Sequence, residues 1–457
     1  MAIDIRGKSI AQLATLIQGG VLDPVEVTEQ TLSAISANPD QTIFVKLTVD
    51  RARAEAAASS RRLREGRSLG MLDGIPIAWK DLFDLEGEVT TAGSKVLAGG
   101  LAALTDATVV ANLKAAGMVA VGRTNMSEFA FSGLGLNPHY GTPANPHSTD
   151  GHRIPGGSSS GAGVAVASGL VPVAMGTDTG GSIRIPAAFN GTVGYKATRG
   201  RYPMWGVYPL SKSLDSLGPL TRTVQDAVWV DAAMRGRSVP EARRADSLDL
   251  RLVVPETVFF DDIEDGVAAA FEAALRRLEE RGAIIYRRSF PAFKALFDLM
   301  ADHGPLVAAE AFALHRQRIF GAEAAGMDRR VVARVKLGEK TSMSAYIAIL
   351  DARERMIAEL RTIVAQDEVL VSPTLPLVAP HVAPLEADDD LFVKINGRTL
   401  RNTLIGNFFD WCGVSIPCGT GAAGMPVGLL LSGLPNTDEH LLGVALAAEE
   451  AVRGGSQ

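Results

Sequence analysis

Cysteine is nearly missing: Cys412 and Cys418 are the only two in 457 residues. Two thiols in so long a chain cannot form a disulfide framework and supply too few ligands for a thiolate metal site, so buried packing is their expected role. Histidine is also scarce, at seven residues, and no His-x-x-x-His, Cys-x-x-Cys or clustered carboxylate motif occurs. Nothing in that pattern calls for a metal or another cofactor. An excess of basic charge is absent too. The net charge of −6 leaves no electrostatic footprint for nucleic acid. The amino-terminal MAIDIRGKSIAQL carries early charges and no unbroken apolar run, unlike a secretory signal, and the cytoplasm is the expected compartment. The 24 residues from Ile154 to Thr177 carry no charge, long enough to ask about a membrane span, but Pro155, Pro172 and the Gly and Ser content argue against one.

What the chain has in quantity is apolar residues, 47%, and glycine, 47 residues. The first is enough for a large core, as one big α/β domain or two merged ones. The second is concentrated where it matters. Two Ser-bearing glycine turns, Gly156-Gly157-Ser158-Ser159-Ser160-Gly161 and Thr177-Asp178-Thr179-Gly180-Gly181-Ser182, bracket the apolar run Val164 to Met175. A single Gly/Ser cluster reads as linker, but two joined by a Val- and Ala-rich run do not. Turns that open helices expose unpaired N–H groups and the positive end of a dipole, a setting for negative charge. The pattern predicts a helix over 158–168, a strand over 171–176 and a second helix from about Ser182.

Elsewhere, helical spacing over 9–64, broken at Gly19-Gly20 and Asn38-Pro39, predicts an amino-terminal helical cap, residues 1–66. Asp73-Gly74 leads into a buried strand over 75–81 that ends in Lys80 and Asp81. Residues 106–117 read as a helix with an Asp cap and a Gly stop, followed by a strand over 118–122. That alternation points to a central sheet covered by helices. Further on come a helix over 223–234, a charged surface loop over 240–248, a strand over 250–254, a helix over 263–280, and a strand over 283–286. Residues 290–365 are expected to be mostly helical, a lid or a subunit contact. Strands over 368–373, 414–418 and 426–432 return to the sheet, and a helix over 438–452 closes the chain.

The run GGSSSG, followed by GTDTGGSIRIPAAFNGTVGYKAT and preceded by GIPIAWKD, resembles the amidase signature family, hydrolases with a Ser, cis-Ser, Lys triad. The likeness extends over nearly the whole chain, with 70–225 as the signature core of one amidase domain. It implies a large mixed central sheet covered on both faces by helices. Ser182 is then the nucleophile, Ser158 a bridging serine after a cis peptide bond, and Lys80 the base. Backbone N–H groups of Thr179, Gly180, Gly181 and Ser182 would form the oxyanion hole. Phe129, Ala130 and Phe131 would line the substrate site, although core packing explains the two phenylalanines equally well. The expected substrate is a small amide or urea-like compound with water as co-reactant, and a homodimer is left open.

The chemistry fits those residue types. A serine hydroxyl is a weak nucleophile until a base removes its proton. No histidine lies in either turn, and His147 and His152 sit in a Pro- and Asn-rich loop. A lysine after apolar residues ordinarily snorkels to solvent. Lys80 can act as base only if burial or nearby positive charge brings its pKa from about 10.4 toward 7 to 8. Asp178 reads as a turn-holding carboxylate, and Arg184 as structural. Two rivals remain. Gly157-Ser158-Ser159-Ser160-Gly161 also fits the G-x-S-x-G elbow with Ser159 as nucleophile, but no strand precedes it. The segment Asn125 to Ala130 is reminiscent of the glutaminase subunit of tRNA-dependent amidotransferase, whereas the carboxy-terminal third looks more like stand-alone amidases.

Overall fold

The computed structural model describes residues 3–246 and 250–455. Eleven strands form one mixed sheet: β1 (Phe44–Leu47), β2 (Pro76–Lys80), β3 (Val119–Thr124), β4 (Val173–Asp178), β5 (Val193–Lys196), β6 (Ser216–Thr221), β7 (Arg251–Pro255), β8 (Ile284–Arg288), β9 (Glu368–Pro373), β10 (Cys412–Thr420) and β11 (Pro426–Gly433). Their order across the sheet is β1-β3-β2-β4-β6-β5-β10-β11-β9-β7-β8. β2 runs parallel to both β3 and β4, β7 runs parallel to β8 and β9, and the other pairs are antiparallel.

Every residue of β2, β3 and β4 is buried, as strands covered on both faces must be. The pleat divides them between two cores. Ile77, Trp79, Val173 and Met175 belong to one cluster, while Ala78 and Ala174 belong to another with Ala162, Val164 and Val166 of the helix Ser160–Ala167. Lys80 continues the Ala78 side of β2, which directs it toward the start of that helix. Each large side chain on these strands contributes about 1.5–3 kcal/mol through burial, which holds the polar strand ends in register.

The predicted elements are present with boundaries shifted by a few residues, and two differences have physical causes. The amino-terminal cap is not purely helical: between the helices Pro24–Ser36 and Val49–Arg64, β1 pairs antiparallel with β3 at the sheet edge. Four residues, three half-buried and one exposed, give no alternating pattern by which to recognise a strand. Asp106 does not cap the helix Thr108–Ala115; its carboxylate takes Arg51 through both oxygens, at 2.6 and 2.9 Å, and the Glu86 N–H at 2.8 Å. The stretch 240–246 has no helix or strand, while the rest of the expected loop, 247 and 248, lies outside the described residues. The region 290–365 is helical, as Pro291–His303, Leu306–Phe320, Arg329–Lys336 and Met343–Ile363. Both cysteines are buried and free. Among the described residues, no helix is long and apolar enough to cross a membrane.

Candidate active site

Three chain segments meet where β2 and β4 end. Lys80 is fully buried, and its Nζ lies 2.7 Å from Ser158 Oγ and 2.8 Å from Thr177 Oγ1. Burial pushes the amine down to about 7, against the attraction of Asp178 and Asp215. At neutral pH a large fraction of Lys80 is therefore unprotonated and able to accept a proton.

Ser158 follows a cis peptide bond from Gly157. Its segment is tied on both sides, with Gly157 N–H donating to Gly133 O at 2.8 Å and Ser127 N–H donating to Ser158 O at 3.0 Å. A Cβ on residue 157 would meet Gly135 N and Ser127 Oγ at 2.6 and 2.7 Å, so backbone approaches backbone here only because Gly157 has none.

The second turn is organised by Asp178. Its carboxylate accepts from Gly181 N (2.8 Å) and Ile183 N (3.1 Å), and pairs with Arg184 Nε and Nη2 at 3.0 and 2.9 Å. Burial would raise its pKa, but the charges of Arg184 and Lys196 and the Asn407 hydrogen bond hold it well below the usual carboxylate range. Arg184 in turn donates to Thr403 O and Asn407 Oδ1, so it is a buried cross-link of the turn and does not line the cavity. This turn aims its N–H groups unevenly. Those of Thr179, Gly180 and Ser182 make no hydrogen bond among the described residues, whereas that of Gly181 is occupied by Asp178. Of the four N–H groups expected to form an oxyanion hole, three are free here and one is engaged. Gly181 has φ +134, and a Cβ there would run into Thr403 Oγ1 and Ile185 Cδ1.

Ser182, Thr179 and Gly180 line a cavity of about 210 Å³ with Ala130, Phe131, Ser132 and Gly133. The rest of the wall is mainly apolar and comes from Leu210 and Leu214, from the helical region 290–365 and from the helix Asp389–Phe408. Phe129 is not part of the lining. It packs behind, its ring centroid 4.4 Å from His315 and 5.9 Å from Tyr208. Ser182 Oγ makes no hydrogen bond among the described residues, to Ser158 or to any other group.

No histidine competes for the role of base. His147 Nε2 is bonded to Asn190 O at 3.0 Å, and Ser159 Oγ is bonded to Thr177 O at 3.4 Å with no imidazole beside it. The elbow reading centred on Ser159 has no geometric support. Among the described residues, no group of three or more His, Cys, Asp and Glu is placed to hold a metal ion. Two groups near the site escape sequence reasoning. Asp215 accepts from Thr179 Oγ1 at 2.6 Å and from the N–H groups of Leu210 and Ser211, and burial pushes its carboxyl up to about 6. Lys196 is a second buried lysine, pushed down to about 8 by burial and by Arg184, but its Nζ is bonded to the carbonyls of Ala197 and Trp411 and takes no part in the serine cluster.

A buried amine beside one serine, with a second serine at a turn of free N–H groups beside an apolar cavity, is an arrangement suited to acyl transfer. Comparison with known proteins agrees. The sequence profile of the Amidase family matches residues 26–442. The 2-amino-5-chloromuconic acid deaminase of Comamonas testosteroni is 39% identical over 89% of this chain and 87% of that protein. A glutamyl-tRNA(Gln) amidotransferase subunit from Acidothermus cellulolyticus is 35% identical over 98% of this chain and 95% of that protein. A crystal structure of an amidase superposes with a TM-score of 0.85 at 30% identity, covering 96% of this chain and 99% of the other. The chain belongs to the amidase signature family. It is a hydrolase acting on carbon–nitrogen bonds.

Proposed function

We propose that the enzyme cleaves a small amide or urea-like compound through an acyl-enzyme. Neutral Lys80 takes the proton of Ser158 as Ser158 takes that of Ser182, and Ser182 Oγ attacks the carbonyl carbon. The resulting oxyanion is held by the free N–H groups of Thr179, Gly180 and Ser182. The proton returns through Ser158 to the leaving nitrogen, the C–N bond breaks, and water then releases the acid by the same route. The observation that carries this reading is the 2.7 Å approach of buried Lys80 to Ser158, with the amine brought to about 7. The Ser182→Ala chain should lose turnover by several orders of magnitude while keeping its melting temperature, and a sulfonyl fluoride should label Ser182 alone. Labelling at Ser159, or turnover surviving in Ser182→Ala, would contradict the assignment.

The alternative is that the chain serves as the glutaminase subunit of a tRNA-dependent amidotransferase, supported by its 35% identity to such subunits over 98% of its length. The free-standing reading is favoured by the 39% identity to a protein named for a small-molecule deamination. Ammonia release from amides by the purified chain alone supports it, and glutaminase activity that appears only with a second subunit overturns it.

A further inference from the structure

Behind the turn that carries Ser182 runs a chain of hydrogen bonds that the proposed reaction does not use. Thr179 Oγ1 donates to Asp215 Oδ1 at 2.6 Å, and the other oxygen of Asp215 accepts the N–H groups of Leu210 and Ser211 at 2.9 and 3.0 Å. Ser211 faces two ways. Its hydroxyl donates to Glu310 Oε2 at 2.5 Å, and the Ser213 N–H donates to the same oxygen at 3.0 Å. The second oxygen of Glu310 accepts the hydroxyls of Ser213 and Tyr346, the latter at 2.8 Å. The chain is therefore continuous from Tyr346 through Glu310, Ser211 and Asp215 to Thr179.

Glu310 lies on the helix Leu306–Phe320 and Tyr346 on the helix Met343–Ile363, far along the chain from Lys80, Ser158 and Ser182. One turn before Glu310, Leu306 and Val307 line the cavity, and one turn after Tyr346, Ile349 does; the segment gripped between the two carboxylates adds Leu210 and Leu214. Cavity wall and Ser182 turn are thus joined into one hydrogen-bonded unit. Burial would raise the Glu310 carboxyl, but its four donors hold it below the usual value, so it is charged at neutral pH. Burial pushes the Asp215 carboxyl up, and the charge of Glu310 adds to that push. Docking a helix on a loop does not require a second carboxylate beside a buried one, and such a pair costs stability.

We propose that Glu310 is a positioning residue for the Ser182 turn: through Ser211 and Asp215 it fixes the Thr179 side chain, and with it the direction of the Thr179 N–H. This rests on the acyl-enzyme reading above for what that N–H does, but not for the tie itself. Glu310 touches no reacting atom. Its effect falls where charge develops on the carbonyl oxygen, so it acts on kcat and leaves KM nearly unchanged.

The test is a double-mutant cycle on the full chain between Glu310→Gln and Thr179→Val, which removes the hydroxyl at the far end of the hydrogen-bond chain. Two rates are read: kcat on hexanamide, and the labelling of Ser182 by phenylmethanesulfonyl fluoride, which decides the matter even if the amide is turned over slowly. Glu310→Gln should lower both by about fivefold, with KM within about twofold of the wild type. The double variant should be no slower than Thr179→Val alone, because both changes break one chain, whereas a residue that merely docks its helix gives losses that add. Ser211→Ala interrupts the chain in the middle, should match Glu310→Gln within about twofold, and takes its place in the cycle if Glu310→Gln fails to fold. Additive losses, wild-type rates in Ser211→Ala, or a change confined to KM would overturn the positioning role. Coupled losses in labelling together with amide turnover that survives in Ser182→Ala would keep that role and overturn the acyl-enzyme reading.

Discussion

Lys80 is the residue on which the proposed chemistry turns, because the same burial that would make it a base also makes it a thermodynamic liability. Its amine binds a proton up to about 10.5 when unfolded and only up to about 7 when folded. Between those values the unfolded chain holds one more proton than the native one, so stability rises with pH across that window and is lowest below it. Denaturant unfolding from pH 6 to pH 10 should show the wild type gaining stability up the series, and Lys80→Met should lack that component of the slope. Equal slopes for the two proteins would mean that the lysine is solvated and charged. The residue was legible because it closes an apolar strand within a motif, GIPIAWKD, and a lowered pKa was expected as a requirement of the chemistry; what the sequence could not show is the burial that produces it, which depends on β3, β4 and the helix Ser160–Ala167 closing around it. Phe129 is the converse case. The sequence puts it between Glu128 and Ala130 in a segment that does reach the cavity, but backbone φ of 51 and 60 at Phe129 and Ala130 turns consecutive side chains apart, and only Ala130 and Phe131 line the wall.

At the scale of the element, the turn after β4 is the proposed oxyanion site, and its donors are held from behind. Asp178 grips Gly181, Ile183 and Arg184, and Asp215 grips the Thr179 hydroxyl together with the N–H groups of Leu210 and Ser211. Asp215→Ala would strand one hydroxyl and two N–H groups, costing about 2–4 kcal/mol of stability and about ten- to a hundredfold in kcat with a smaller change in KM. An equal loss in kcat and in the melting of a Ser182→Ala background would point to global destabilisation instead. Gly181→Ala tests the turn directly, since its Cβ would run into Thr403 Oγ1 at a φ that L side chains rarely adopt. Both turns could be read from their glycines. Asp215 could not, because it reaches Thr179 across 36 residues and nothing local marks it. The same holds for the supposed fourth oxyanion donor: four consecutive N–H groups look equivalent in sequence, and only the folded Asp178 side chain shows that Gly181 is already engaged.

Over the whole molecule, the sheet gathers the proposed base from β2, the proposed relay serine from the turn before the helix Ser160–Ala167 and the proposed nucleophile from the turn after β4, while distant helices supply the cavity. The alternation of strands and helices in the first half made the sheet and the candidate cluster of Lys80, Ser158 and Ser182 legible, since motif and element coincide there. The substrate side was not legible: Arg334, Asn396 and Leu400 lie on helices whose apolar spacing looks like ordinary packing, and only the fold brings them opposite Ser182. The central claim is that buried, neutral Lys80 activates Ser182 through Ser158, and the pH dependence of kcat/KM on a small primary amide tests it most directly. The wild type should rise through a single ionisation near pH 7 and stay high to about pH 9. Lys80→Ala should fall by several orders of magnitude and lose that ionisation, and Lys80→Arg should not restore it, because a guanidinium keeps its proton. A rise centred near the ordinary lysine value of about 10.4, or an unchanged profile in Lys80→Ala, would place the base elsewhere.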